Sequence, residues 1–496
     1  MLFSPNNRFR SGNILLSGAV LTFLEIAVIS AATLCFSLNS FDRNFYVFFF
    51  SFLIFGLLGL IGSRLISFNH EFKAKEIFQL SALNLIGVIL VSAFMYLALD
   101  LCGSFDAAFL EAVSGFTTTS MTGLSPETLG TSILFFRSIS QWVGGFGALL
   151  LVFVALPSAG RTDEFDISFA RTFTTNSLSQ TLRRIAGVYG TLTLLICIGF
   201  LLAGMSFFES VCHSFSTVST GGFSTKNSSI AGFESEAIEW VAASGMTVSG
   251  VSFIIWWWMY QKKFTSVRES SEFRVHIGLA LVSIAAFTFW LRNIGNFSEA
   301  LRDSYFLSAS LLSTTGFTSM DWAFSSGMAC VVLLLLGTGA MAGSAGGGYG
   351  SGRVLQHIRF VRRELTVQYK PNAVRVVKVS GNVIDERSLL RLQGFTAIFI
   401  LLVTIGAFLV SISEQGYSTL ESLSLSLSAL ATAGPSLLGG TGSQIADFNT
   451  TGNIAVSFLM IIGRLSIFPI AYLGLSLFRT IREGPMRRLR LNRERP

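Results

Sequence analysis

The sequence predicts an all-α polytopic membrane protein: two leading transmembrane helices, then four pseudosymmetric repeats, each a span, a short re-entrant helix and a second span. Three observations carry this. Charged residues make up 13% of the 496 positions and hydrophobic residues 51%, whereas soluble globular chains carry about 25% charge. Ten apolar stretches approach the roughly 20 residues a helix needs to cross a bilayer. Four Ser/Thr/Gly segments recur at matching places between them.

Composition also excludes other classes. With 48 Phe and 47 Gly, too little polar side chain remains to coat a water-soluble protein of this size. The abundance of Leu, Ile, Val and Phe excludes disorder, and the lack of a glycine period excludes collagen. Cys35, Cys102, Cys197, Cys212 and Cys330 stand singly, offering neither a disulfide framework nor a zinc site. His70, His213, His276 and His357 are likewise isolated and read as loop or polar contacts. No HExxH, no P-loop lysine and no paired intramembrane aspartates are present, so the chain is not expected to be an enzyme.

The apolar stretches run near 14–36, 46–66, 77–100, 132–156, 185–205, 237–259, 276–291, 328–350, 390–412 and 453–478. The first is too long and too poor in small residues for a signal peptide, so both leading stretches are kept as spans within 1–75. The repeats then occupy 76–184, 185–275, 276–389 and 390–496. With both termini cytoplasmic, the inner segments 1–13, 64–76, 157–184, 260–275, 353–391 and 479–496 hold 29 of the 35 Lys and Arg residues. That asymmetry obeys the positive-inside rule and explains the net charge of +7 without nucleic acid.

Four outer connections, near 103–130, 207–235, 298–326 and 414–450, are long, moderately apolar and too short to span the bilayer. Each begins helix-like and ends in Ser, Thr and Gly. Aligned, they read Phe116-Thr117-Thr118-Thr119-Ser120-Met121, Ser219-Thr220-Gly221-Gly222-Phe223-Ser224, Leu312-Ser313-Thr314-Thr315-Gly316-Phe317-Thr318 and Leu430-Ala431-Thr432-Ala433-Gly434-Pro435-Ser436. Equivalent positions 120, 222, 316 and 434 lie 102, 94 and 118 residues apart, a diverged fourfold repeat. Non-helical backbone at membrane depth is tolerated only where protein buries it or where it lines a water-filled path. Four such loops converging on one axis would make a pore. Backbone carbonyls can replace the hydration shell of a cation, glycine supplies positive φ, and each short helix aims the negative end of its dipole at the ion.

These residues resemble the Trk/Ktr/HKT superfamily of potassium and sodium transporters, specifically its bacterial TrkH branch. Glu111-Ala112-Val113-Ser114-Gly115-Phe116-Thr117-Thr118, His213-Ser214-Phe215-Ser216-Thr217, Pro371-Asn372-Ala373-Val374 and Gly463-Arg464-Leu465 are similar to TrkH segments, and the likeness spans nearly the whole chain. It implies a homodimer in a bacterial inner membrane, each subunit with its own pore. It also implies a cytoplasmic TrkA-like ring as partner; that ring, not this chain, would bind nucleotide, and the basic inner loops 260–275 and 353–391 are candidate docking sites. No cofactor is expected in this chain. By position the filter comprises Thr118, Thr119 and Ser120, Thr220, Gly221 and Gly222, Thr315 and Gly316, and Ala433 and Gly434, which would hold the permeant K+ or Na+. TrkH relatives usually carry glycine where this chain has Ser120, and serine there accompanies sodium preference in plant HKT members. Potassium is the favoured ion here, with sodium as the alternative and permeation of both allowed.

Between 337 and 352, eight of sixteen residues are glycine, each costing about 1 kcal/mol relative to alanine in a helix. A helix should break there. Gly337-x-Gly339-x-x-Ala342 is not a dinucleotide fingerprint, because no strand pattern precedes it. The resemblance makes this break an intramembrane gate loop, with Gly343, Gly346, Gly347 and Gly348. Arg464, midway along the last span, would cost about 2.5 kcal/mol or more unless it met water or a partner. It is expected on the pore wall below the filter, raising the barrier to cations and pairing with the gate loop. Asp106, Glu111, Glu209, Asp303, Asp321, Glu421 and Asp447 flank the outer connections and could concentrate cations at the mouth. Glu111 stands out as a structural contact within its short helix.

The leading expectation is channel-like monovalent cation uptake. The alternatives are symport coupled to H+ or Na+ and a mainly Na+-selective HKT-like transporter. The membrane interior is read as lacking the deep acidic residue that coupling would use.

Overall fold

The computed structural model describes residues 5–37, 43–65, 74–155, 178–292, 296–320, 326–370, 375–380, 382–414, 416–434 and 448–465. Among the described residues are seventeen α-helices and one small antiparallel pair, β1 (Lys378–Val379) with β2 (Asn382–Val383). Seven helices are long and apolar enough to cross a membrane. Large apolar side chains point outward along them, among them Leu57, Leu60, Leu194, Leu195, Leu281, Val282, Leu401 and Phe408. Such a surface suits hydrocarbon and would aggregate in water.

The leading helices α1 (Pro5–Leu34) and α2 (Arg43–Leu65) pack on each other, and α1 also packs on α3 (Ala74–Ala98). Leu24 and Val20 of α1 lie so close to Gly59 and Gly62 of α2 that a Cβ at either glycine would fall within 2.7 Å of them. Small residues let these helices approach. Glu25 corrects one expectation. It is an acidic residue inside the first span, where its Oε2 accepts a 2.7 Å hydrogen bond from Asn84 Nδ2 of α3. Thr22 Oγ1 donates to Asn84 Oδ1 at 3.2 Å, so the carboxyl is embedded in a polar contact between helices.

Four span, short helix, span units follow: α3, α4 (Phe105–Phe116) and α5 (Thr131–Leu150); α6 (Leu178–Leu202), α7 (Phe207–Val218) and α8 (Glu236–Gly250); α11 (Ser271–Leu291), α12 (Phe297–Ser313) and α13 (Ser326–Thr338); α15 (Glu386–Ser413), α16 (Thr419–Ala431) and α17 (Thr450–Leu465). Between units lie α9 (Phe253–Tyr260), α10 (Phe264–Glu269) and α14 (Ser351–Tyr369). Each short helix starts at a polar cap. Ser104 Oγ accepts from Ala107 N–H, Ser206 and Ser418 form capping boxes with Glu209 and Glu421, and Glu299 accepts from Asn296 N–H. Such caps are worth about 1 kcal/mol each.

The caps revise the expected mouth charges, because Glu209 and Glu421 are committed to helix ends. Asp106 accepts from Asn453 Nδ2 at 2.9 Å, and Asp303 pairs with Arg302 at 3.3 Å. Asp321 and Asp447 lie outside the described residues, as do Pro371 to Val374 and the whole basic tail 479–496.

Two expected spans differ from continuous helices. The stretch 237–259 bends by 93° between α8 and α9. The backbone groups freed there are not lost to lipid: Gly250 O accepts from Met341 N–H at 3.1 Å, and Phe253 N–H donates to Gly343 O at 2.9 Å. The stretch 328–350 is helical only to Thr338; residues 339–350 form an irregular strap before α14. Within 453–478, helix is described to Leu465.

Candidate functional site

The four short helices end in one shared geometry. Their C-termini turn through a left-handed threonine: Thr118 (φ 55°), Thr220 (55°), Thr314 (59°) and Thr432 (49°). The amide of each threonine bonds back three residues and the next amide bonds back five, to the carbonyls of Ser114, Ser216, Ser310 and Ser428. This is the Schellman pattern, which usually places glycine at the left-handed position. A threonine there costs about 1–2 kcal/mol, the kind of strain that gathers at functional sites. Two residues later the chain is left-handed again, at Ser120 (φ 63°), Gly222 (78°), Gly316 (86°) and Gly434 (89°).

Successive loops touch. A Cβ placed on Gly222 would lie 2.0 Å from Thr315 O and 2.9 Å from Ser120 Cβ; on Gly434 it would lie 2.3 Å from Thr119 O and 1.8 Å from Ser120 Oγ. Loop 1 therefore abuts loops 2 and 4, and loop 2 abuts loop 3, while Leu311 and Leu312 before loop 3 share one apolar cluster with Ala433 of loop 4, so the four gather in a ring-like group. Thr118 to Thr119, Thr220 to Gly222, Thr315 and Ala433 are all buried. Among the described residues, the hydroxyls of Thr118 and Thr432 are buried without a hydrogen-bond partner, and buried oxygens of that sort are fit to be satisfied by an ion.

Side chains behind the ring brace it. Glu111 Oε1 accepts from Thr122 Oγ1 (2.6 Å), Gly123 N–H (2.7 Å) and Leu124 N–H (3.3 Å). Arg137 of α5 sits 3.7 Å from Glu111 Oε2, donates to Thr122 Oγ1 at 2.8 Å and lies over the Phe223 ring at 4.2 Å, joining loop 1 to loop 2. Gln141 Nε2 donates to Gly221 O at 2.8 Å. His213 is buried, with Nδ1 2.8 Å from Glu209 O and Nε2 3.0 Å from Ser224 Oγ.

The strap at 339–350 runs directly against the ring. Gly347 N–H donates to Thr314 Oγ1 at 2.8 Å, and a Cβ on Gly347 would lie 2.3 Å from both Ala431 O and Thr432 Oγ1. A Cβ on Gly346 would lie 2.6 Å from Ser313 O. Gly343 (φ 79°) and Gly348 (89°) hold left-handed backbone. Arg464 Nη1 donates to Ala345 O at 2.8 Å and Nη2 to Gly144 O at 3.1 Å, so the guanidinium meets carbonyls of the strap and of α5. Glu272 of α11 accepts from Ala342 N–H at 2.8 Å. A cavity of about 110 Å³ runs along the strap, bordered by Gly347, Leu151, Glu272, Gln356 and Arg464, with Thr432, among the described residues, its one contact with the four loops.

The structure thus brings together all ten filter positions named from sequence, the four glycines of the strap and Arg464. Sequence reasoning missed Thr314 and Thr432, the equivalents of Thr118 and Thr220. A signal was present, since all four loops read Ser-x-x-x-Thr, at 114–118, 216–220, 310–314 and 428–432. It also missed Gln141 and Arg137, whose roles depend on contacts between distant segments.

A family profile described as TrkH, cation transport protein, matches residues 97–476. The Trk system potassium uptake protein TrkG of Escherichia coli (strain K12) is 28% identical over 448 residues, covering 87% of this chain and 91% of that protein. The Trk system potassium uptake protein TrkH of Salmonella typhimurium (strain LT2) is 30% identical over 379 residues, covering 74% of this chain and 78% of that one. The crystal structure of the potassium transporter TrkH from Vibrio parahaemolyticus superposes with a TM-score of 0.80 at 25% identity, over 92% of this chain and 98% of that chain. Spans, ring and matches agree: the chain belongs to the TrkH family of cation transport proteins, as a bacterial TrkH-like, multi-pass, all-α membrane protein.

Proposed function

We propose that this protein takes up monovalent cations, K+ with Na+ as competitor, through a channel-like path at the four-loop ring. The observation that carries the reading is the ring itself: four equivalent loops with left-handed backbone at alternate positions, built from segments about a hundred residues apart. Left-handed turns at alternate residues bring backbone and threonine oxygens to one place, which is what a cation shedding water requires. The relatives named as potassium uptake proteins agree with this reading.

The strap from Gly339 to Gly350 is the proposed gate, and Arg464 its latch and an electrostatic barrier. Opening must release the strap's bonds to Thr314, Arg464 and Glu272 and those of Met341 N–H and Gly343 O to the bend between α8 and α9. In this reading the protein is a homodimer of the bacterial inner membrane with both termini cytoplasmic. A nucleotide-binding ring docks on inner segments 260–275 and 353–391. Ser120, the one filter-ring position where glycine is replaced, bears on the balance between K+ and Na+.

Rubidium and sodium flux into liposomes carrying the purified chain tests the proposal. Gradient-driven rubidium uptake that sodium competes for is the expected result. No flux above protein-free liposomes, with or without a nucleotide-binding partner, would overturn it.

A further inference from the structure

This inference rests on the reading of the ring as a cation filter and concerns what makes that ring uneven. In two places the carbonyl preceding a loop's second left-handed residue lies against that left-handed residue of the adjoining loop. Thr315 O lies where a Cβ of Gly222 would be, at 2.0 Å, and Thr119 O where a Cβ of Gly434 would be, at 2.3 Å. Both receiving positions are glycine because a side chain would collide with the carbonyl. The fourfold pseudosymmetry would set Gly221 O against residue 120 in the same way. Residue 120 is serine, so a side chain stands where the other two receiving positions have none; its Cβ lies 2.9 Å from where a Cβ of Gly222 would be.

Gly221 O is engaged elsewhere. Gln141, fully buried on α5, donates to it through Nε2 at 2.8 Å, and the same amide accepts Phe223 N–H through Oε1 at 3.1 Å. The fit is close: a Cβ on Gly221 would lie 2.4 Å from Gln141 Cδ. Both ends of one side-chain amide are thus spent on loop 2. A buried amide satisfied at both ends holds its partner firmly, because releasing it leaves polar groups unpaired.

We propose that Ser120 and Gln141 act as a pair that sets cation selectivity. The Ser120 Cβ bars the Gly221 carbonyl from the place its counterparts Thr119 and Thr315 take, and Gln141 holds that carbonyl outward. One corner of the ring therefore presents different oxygens from the others. Gln141 is a positioning residue, acting through Gly221. Selectivity between K+ and Na+ depends on the number and placement of coordinating oxygens, so the pair acts on the flux ratio rather than on assembly.

The test is the rubidium-to-sodium flux ratio of the full chain in liposomes for the wild type, Gln141→Met, Ser120→Gly and the double variant. Each single change is expected to shift the ratio by about fivefold or more, the scale of coupling within one hydrogen-bond network. The double variant should shift the ratio by more than the product of the two single shifts, because the Gly221 carbonyl can take the place of its counterparts only when both the Ser120 Cβ and the Gln141 donor are gone. A ratio unchanged in Gln141→Met, or single effects that simply multiply in the double variant, would overturn the pairing. Gln141→Leu, which keeps the volume without charge or donor, carries the same test should Gln141→Met fail to fold. Loss of rubidium flux in the wild type itself would instead strike at the filter reading.

Discussion

Arg464 Nη1 donates to the carbonyl of Ala345 at 2.8 Å, a bond that ties the last described helix to the glycine strap 119 residues earlier. Its other terminal nitrogen reaches Gly144 O at 3.1 Å, so one side chain clamps strap, α5 and α17 together. Hydrogen bonds to charged groups contribute about 1.5–3 kcal/mol each. Replacing Arg464 by Gln is expected to raise partner-free rubidium flux by about tenfold, the factor for about 1.4 kcal/mol. Equal flux in variant and wild type would remove both its latch and its barrier role.

Gly347 has no room for a side chain, since a Cβ would lie 2.3 Å from Ala431 O and Thr432 Oγ1. Gly347→Ala should cost about 1–3 kcal/mol by overpacking and displace the strap. A lowered unfolding temperature in detergent, together with altered flux, is the expected pair of results. Gly187→Ala is the control, because a Cβ on Gly187 meets nothing within 4 Å, and it should leave both measurements near wild type.

Glu111 and Arg137 are each 2% exposed and lie 3.7 Å apart. Removing one partner strands the other, at about 3–5 kcal/mol. Thermal unfolding should therefore show Glu111→Ala and Arg137→Ala as strongly destabilised, and Glu111→Ala with Arg137→Met as less destabilised than the sum of the singles. Additive losses would mean that the pair does not act as a unit.

Glu25 is bonded to Asn84 between the leading helix and the first repeat. If uptake is uncoupled from protons, Glu25→Gln should accumulate rubidium like the wild type whether or not a pH gradient is imposed. Loss of pH-driven accumulation in this variant alone would favour symport.

The helical architecture was largely legible because hydropathy and glycine content are local properties. The break after Thr338 followed from the glycines at 337–352, which cannot sustain a helix. The bend at Gly250 to Phe253 was not legible. The stretch 237–259 is apolar throughout, and the bend is stabilised by Gly343 O and Met341 N–H, backbone groups of the strap. Glycine was expected to supply the positive φ of the filter, yet threonine holds half of those positions. Propensity disfavours it there; burial and the bond from Gly347 N–H to Thr314 Oγ1 favour it.

The sequence by itself determined that this is a polytopic membrane protein with four re-entrant loops, because apolar length, charge asymmetry and repeat spacing are written along the chain. Tertiary structure decided how those loops meet. It set Ser120 between Gly222 and Gly434, Gln141 on the Gly221 carbonyl and Arg464 on Ala345. The last two link residues 80 and 119 positions apart. Each depends on which way a buried carbonyl turns, and that is settled by the groups left to satisfy it once the helices have packed.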